Sequence, residues 1–378
     1  MILFLLSFFL LYGGLHLYFF LKIRAAFAPG AAIQAILVAL LILGLLAPLL
    51  IRASERLGLE IFARLLSWGG YMWMAVIFLF FSASLLLEFY RLLVYSAGFV
   101  LRADLVAYLP TARVVFLIPV VAALGIGVYG FFEARDIRQE HIEIHSNKIP
   151  KDAGKIRVVQ ISDVHVGVLV REKRLAAMLR KVKEAQPDLL VSTGDLVDGQ
   201  LNSMAEAIVQ FRDIRPRFGK FAVTGNHEFY AGIDDAIDFI TRSGFILLRG
   251  EVATAAGVID LAGVDDPTTR RLGLHGGLSD REVLSLGGGD RFTILLKHQP
   301  LIENDAPGAF DLQLSGHTHR GQIFPFSLIT SRFFPYHSGN FHLEKGALLH
   351  VSRGTGTWGP PIRFLSPPEI TVIDLIPR

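Results

Sequence analysis

Apolar positions along this chain fall into two regimes that change over near residue 132. Before that point they form long unbroken runs. No charged side chain occurs in residues 1–21 before Lys22, in 31–51 before Arg52, in 68–87 before Glu88, or in 114–132 between Arg113 and Glu133. Each run supplies the roughly 20 residues that a helix needs to cross about 30 Å of hydrocarbon, so four membrane spans are expected. A cleaved secretory leader is the rival reading of the first run, but a basic leading segment and a small-residue cleavage site are both missing, and a retained helix is expected. His16 reads as an imidazole packed between helices or reaching the headgroups rather than as a proton relay. Tyr18, Trp68, Tyr71, Trp73, Tyr90 and Tyr95 sit toward span ends, as an interfacial aromatic belt would have them. Between Phe89 and Thr111, Arg91, Arg102 and Asp104 are mixed with Leu, Val and Tyr, which suits either a helix in the interface plane or a connecting loop.

From Glu133 charges crowd in and the apolar runs shorten, marking a boundary between a helical region, 1–132, and a second region, 133–378. Ile142 and Ile144 alternate with polar neighbours like an edge strand. Thereafter strand-like and helix-like runs alternate, the pattern of an α/β layered fold. Residues 171–185 have helical spacing with Leu175, Met178, Leu179 and Val182 on one face, and Pro187 ends the element.

The strand-like runs end on chemistry. Arg157 to Ile161 delivers Asp163 and His165. In an extended backbone these would project the same way and could close on one ion, although a turn Asp beside a surface His fits the same letters. Asp188 to Thr193 runs into Gly194-Asp195 and Asp198. Phe218 to Thr224 opens onto Gly225-Asn226-His227-Glu228, Phe292 to Lys297 onto His298, and Phe310 to Ser315 onto Gly316-His317-Thr318-His319. Any one ending has a turn-chemistry explanation. Five in series are expected to converge, because α/β sheets gather their sites at the carboxyl ends of strands. A set of oxygen and imidazole donors without thiolate suits manganese, iron or zinc in a catalytic site.

Asp163-x-His165, Gly194-Asp195-x-x-Asp198, Gly225-Asn226-His227-Glu228, His298 and Gly316-His317-x-His319 together resemble the motif set of the calcineurin-like metallophosphoesterases, over about residues 140–378. The resemblance implies a four-layer α/β-β/α sandwich with two divalent metal ions at one edge. It implies Asp163, His165 and His319 on one metal, Asn226, His298 and His317 on the other, and Asp195 bridging them. His227 resembles the general acid and Asp198 the carboxylate that orients it. The activity implied is hydrolysis of phosphomonoester, phosphodiester or pyrophosphate bonds by a hydroxide shared between the ions. A Glu after the histidine suits a supporting or helix-entry role. Arg320 stands where a small glycine is common in the pattern, either as a cation beside the substrate phosphate or as an exposed arginine.

Other features add less. The Gly-rich stretch 353–361 lacks the Lys-Ser or Lys-Thr of a nucleotide loop and is read as a rim loop, with Trp358 and Phe364 either facing substrate or membrane or, the preferred reading, packing. Gly263-Val264-Asp265-Asp266 reads as turn chemistry and Arg270-Arg271 as solvated surface. The chain is 52% hydrophobic and 19% charged with net charge +3, which offers no basic stripe for nucleic acid. With no cysteine it carries no compartment signal, and the Lys and Arg of the short loops divide evenly, leaving the side of the membrane open. The expectation is a multi-pass protein of the cell membrane acting on phosphate esters, including lipid-linked ones. The alternative is a membrane receptor or scaffold that binds metal and phosphorylated ligands without turning them over.

Overall fold

The computed structural model describes residues 2–199, 204–274, 277–304 and 306–378. The chain forms two compact units, Met1–Phe132 with Gly359–Ile362 and Glu133–Trp358 with Arg363–Arg378.

In the first unit, helices α1 (Ile2–Phe27), α2 (Ala31–Arg56), α3 (Glu60–Leu101) and α4 (Ala112–Glu133) are each long and apolar enough to cross a membrane. His16 is buried between helices, its Nδ1 2.8 Å from the Tyr12 carbonyl and its Nε2 accepting the Trp73 indole N–H at 3.0 Å. Trp73 therefore packs against His16 between helices. A separate interface-plane helix at 89–111 is not what forms. Residues 89–101 continue α3, because no proline interrupts them, and the helix stops only at Arg102, which is left-handed at φ 51°. Its 42 residues give α3 a length of about 63 Å, roughly twice a hydrocarbon core. Glu88 on α3 pairs with Lys22 and Arg91.

In the second unit, strands run in chain order as β1 (Arg138–Ser146), β2 (Ile156–Ile161), β3 (Leu189–Ser192), β4 (Lys220–Ala222), β5 (Ile246–Leu247), β6 (Glu251–Ala255), β7 (Ile259–Gly263), β8 (Phe292–Leu296), β9 (Leu312–Ser315), β10 (Gly339–His342), β11 (Leu348–Val351) and β12 (Glu369–Pro377). They form two six-stranded sheets, ordered β1-β12-β2-β3-β4-β5 and β10-β11-β9-β8-β7-β6. β1 is the edge strand its alternation predicts. The helices are α5 (Glu172–Ala185), α6 (Ala205–Arg212), α7 (Asn226–Ala231), α8 (Ile233–Arg242), α9 (Thr268–Arg271), α10 (Asp280–Leu284) and α11 (Phe326–Phe333).

The period of two in the strands sorts the core into layers. Val158, Leu189, Val191 and Phe221 of one sheet meet Leu261, Ile294, Leu296 and Leu314 of the other in a shared buried cluster. Their neighbours Val159, Ile161 and Leu190 point outward to Leu175, Met178, Leu179 and Val182 of α5 and to Phe211 and Phe239. Ala262 and Leu295 meet Val283 and Leu284 of α10 on the far side. This is the four-layer α/β-β/α sandwich expected from the sequence.

Candidate metal centre

β2, β3 and β4 run parallel to one another, as do β7, β8 and β9, so the loops leaving their carboxyl ends share an edge. Those loops carry Asp163 and His165, Asp195 and Asp198, His298, and His317 and His319, while Asn226, His227 and Glu228 form the first turn of α7. The backbone there is not the extended one expected for Asp163 and His165. Five of the seven candidate ligands have left-handed φ: Asp163 52°, His165 54°, Asp195 51°, His317 71° and His319 47°. A non-glycine residue held there costs of order 1–3 kcal/mol, and such conformations cluster at functional sites. The pairing of Asp163 with His165 therefore comes from a coiled loop beyond the strand end, not from strand periodicity. Gly316 permits the closeness: a Cβ on it would lie 1.9 Å from Ser162 Oγ and 2.3 Å from Asp163 Oδ2.

Asp163, His165 and His319 present donor atoms within 4.8 Å of one another, and so do Asp195, His298 and His317. His165 Nε2 is 3.2 Å from His319 Nε2, which is 3.3 Å from Asp163 Oδ1. His298 Nε2 is 3.1 Å from His317 Nδ1 and 3.2 Å from Asp195 Oδ2. For metal–nitrogen bonds of about 2.1 Å, ligands at tetrahedral to octahedral angles stand about 3.0 to 3.4 Å apart, so these separations fit a cation. His298 Nδ1 lies 2.8 Å from the Thr193 carbonyl, so its Nε2 is the atom turned toward His317 and Asp195, where a cation would take the place of the proton shared with Asp195. Asn226 Oδ1 is buried with no hydrogen-bond partner in the protein, a rare situation that a cation would relieve. Three residues, His165, Asp195 and His227, form a further overlapping group.

The charges are set by burial and by one another. Burial raises Asp195 and lowers His298, but their mutual attraction outweighs it, holding the carboxylate well below and the imidazole well above their ordinary values. Burial pushes His165 down to about 3 and His317 to about 4, keeping both neutral, as ligands must be. For His227 burial acts downward, yet the Asp195 and Asp198 carboxylates carry it to about 9. Its Nδ1 lies 2.9 Å from Asp198 Oδ1, and its ring stands edge-on to His165, with centroids 4.6 Å apart.

Glu228 has the supporting role read from its position. Fully buried, it accepts backbone N–H groups of Asp195, Leu196, Val197 and Gly225 at 2.6–3.3 Å. Asp265 pairs with Arg249, and Asp266 caps the turn into α9 and accepts from Gln299, so this acid pair is turn chemistry. Arg270 and Arg271 are exposed. Arg320 is also exposed and left-handed at φ 50°, which gives a physical reason for glycine at this position.

Sequence reasoning passed over Arg363 and Tyr230 and preferred the wrong one of its two readings for Trp358. Arg363 is fully buried, and its guanidinium lies 3.1 Å from His319 Nδ1 while donating to carbonyls of Arg353, Gly354, Gly356 and Ser366. Trp358 is not a packing residue: it is 53% exposed, and its ring is 6.0 Å from that of His227. Its backbone is gripped at both ends by the Gln322 amide, which donates to its carbonyl and accepts its N–H. Tyr230, 52% exposed, flanks His227 from another direction at 5.6 Å. Neither Arg363 nor Trp358 has an acid or imidazole beside it in the sequence, and Tyr230 has only its nearness to His227 and Glu228 to mark it.

The sequence model of the calcineurin-like phosphoesterases matches residues 156–321, a stretch that holds every candidate ligand. A protein of Aquifex aeolicus (strain VF5), described as an uncharacterized metallophosphoesterase, is 38% identical over 254 residues, 67% of this chain and 97% of its own length. A second, from Helicobacter pylori (strain ATCC 700392 / 26695) and described in the same words, is 33% identical over 68% of this chain and 69% of its own. A Bos taurus protein described as a transmembrane protein with metallophosphoesterase domain is 32% identical over 76% of this chain and 67% of its own. With the sandwich and the edge cluster described above, these matches show that the chain belongs to the calcineurin-like metallophosphoesterases.

Proposed function

We propose that this protein is a membrane-anchored hydrolase of phosphomonoester, phosphodiester or pyrophosphate bonds that works with two divalent cations. Asp163, His165 and His319 would hold one, Asn226, His298 and His317 the other, and Asp195 would contact both, since a carboxylate has an oxygen for each. Manganese, iron or zinc suits this donor set. The observation that carries the reading is the convergence of two three-residue donor clusters on one sheet edge beside an orphaned Asn226 oxygen.

When bound, the cations supply Lewis acidity toward phosphate oxygens and toward water. The chain's own residues do the rest. His227, oriented through Nδ1 by Asp198, is positioned to give a proton to the leaving oxygen from its other nitrogen. Glu228 and Arg363 hold the ligand loops from behind, and Trp358 and Tyr230 wall the approach to His227. A complete proton-donor pair beside the donor clusters favours turnover over passive binding.

Substitution of Asp195 or His317 by Ala in the full-length protein should abolish both metal retention, read by elemental analysis, and metal-dependent hydrolysis of an aryl phosphate. Unchanged turnover would refute the assignment. Four membrane-competent helices in one chain also favour lipid-linked phosphates or pyrophosphates as substrates, because tethering concentrates the enzyme where they reside. Turnover in detergent should then rise with lipid chain length, and indifference to length removes the idea.

A further inference from the structure

Helix α11 is amphipathic in the wrong sense for water. Among its eight residues the exposed positions are Phe326, Leu328, Ile329, Arg332 and Phe333, while Ser327, Thr330 and Ser331 are the half-buried ones. Leu328 is 65%, Ile329 49% and Phe333 72% exposed. At 100° per residue these apolar positions and Arg332 fill one continuous arc, and the hydroxyl residues fill the opposite one. The small face is turned inward because α11 packs on the loop of His319: a Cβ on Gly321 would lie 2.4 Å from Ser327 Cα. At the other end Phe334, which caps the helix, stands 5.1 Å from the His317 ring. The inverted helix is thus fixed at both ends to the segment that carries two candidate ligands.

Its apolar arc does not stand alone. Phe324, 40% exposed, donates its backbone N–H to the Phe364 carbonyl at 3.1 Å. Next to Phe364, Leu365 is 53% exposed, and its N–H is bonded at 3.0 Å to the carboxylate of Glu133. Glu133 is the last residue of α4, a helix long and apolar enough to cross a membrane. The exposed apolar strip is therefore tied, by one backbone bond and one bond to a side-chain carboxylate, to Glu133, the residue with which the second unit begins.

We propose that α11, with Phe324 and Leu365, is a membrane-docking surface that seats in the headgroup and acyl boundary of the bilayer and brings the mouth of the metal centre against it. Leu328, Ile329 and Phe333 enter the apolar zone, and Arg332, on the same arc, carries its aliphatic stem there while its guanidinium meets lipid phosphates. This deepens the reading of a membrane-anchored phosphoesterase and rests on its anchoring, but not on turnover.

The natural sequence has no cysteine, so single-cysteine variants of the full-length protein can be spin-labelled cleanly in vesicles of phosphatidylcholine and phosphatidylglycerol. Labels at Leu328→Cys and Phe333→Cys should be relaxed more by lipid-soluble oxygen than by an aqueous nickel chelate. Labels at Val209→Cys and Leu286→Cys, also highly exposed, should show the reverse. Aqueous access at 328 and 333 equal to that at 209 overturns the proposal, as does protection from both relaxants, which would mean a protein partner or second copy. Replacing Leu328, Ile329 and Phe333 together by Ser should cost roughly tenfold or more in turnover of a vesicle-borne lipid phosphate and spare a soluble aryl phosphate. Equal loss on both substrates also counts against docking. A protein that hydrolyses nothing would instead count against the phosphoesterase reading, with docking still decided by the labels.

Discussion

The buried carboxylate of Glu228 accepts the backbone N–H of Asp195 at 3.0 Å, so one acid fixes the loop of another whose side chain lies between the two imidazole pairs. With Leu196, Val197 and Gly225 it takes four backbone donors in all. A left-handed Asp195 cannot satisfy its neighbours through a sheet ladder, and Glu228 substitutes for one. Glu228→Ala should lower metal affinity by roughly ten- to hundredfold, the usual cost of losing a partner behind a ligand. Glu228→Gln, which keeps one acceptor oxygen, should fall between. Competition with a chromophoric chelator reads this directly, and equal affinity in all three proteins would show that the ligand loop holds its own shape.

His227 makes the opposite prediction. It is bonded to Asp198 rather than being one of the assigned ligands, so His227→Ala should retain the full metal content while losing about two to four powers of ten in rate. The loss should grow as the leaving group becomes a poorer one, because a good leaving group needs no proton. A comparison of aryl and alkyl phosphates, with metal content measured on the same samples, separates this from a lost ligand. Equal losses on both substrates would remove His227 from proton transfer.

The candidate ligands could be found in the sequence because each ends a buried strand, and a strand running into Asp, Asn or His is visible without coordinates. Strand periodicity is nevertheless not what pairs Asp163 with His165. Their left-handed backbone follows from contacts with Asp195 and Gly194 carbonyls across the edge, which no local pattern encodes. Arg363 escaped for the same reason: its contact with His319 is closed by the tertiary fold over a separation of 44 residues. The extent of α3 is hidden because Glu88 and Arg91 end the apolar run and look like a boundary, whereas helix propensity carries through them. α11 was missed since an inverted amphipathic helix has the same period as an ordinary one, and only the fold says which face is inside.

Arg320 offers a test of backbone strain. Its φ of 50° and ψ of 32° are comfortable for glycine and costly for a branched-off side chain. Arg320→Gly relieves that strain but admits more freedom to the unfolded chain, so the net gain should be small, up to about 1 kcal/mol. Denaturation of the two proteins in detergent, at matched metal load, reads it. Should the guanidinium also meet substrate phosphate, the more stable variant will show a raised KM with kcat unchanged. An exposed arginine without that role leaves both constants alone.

Far from the metal centre, Asp374 on β12 receives two hydrogen bonds from Arg157 on β2, at 2.7 and 2.9 Å, and one from Lys155 at 3.2 Å. The Arg157 bonds are the largest influence on its carboxyl and, joined by Lys155, outweigh its partial burial, lowering its pKa below the ordinary value. The sign of the linkage follows: a depressed carboxyl pKa contributes stability that is fully present above the unfolded value, near 3.9, and is lost as pH falls through the lower folded value. Asp374→Asn mimics the protonated state at every pH. It should be less stable than the natural protein at pH 7 by about 2 kcal/mol, the scale of hydrogen bonds to a charged group. The gap should narrow as pH drops below about 4, where the natural protein loses the same charge. Other groups, the metal ligands included, titrate alike in both proteins and cancel in the difference. A stability difference that stays constant from pH 7 to pH 3 would show that the Asp374 carboxylate does not draw its strength from Arg157.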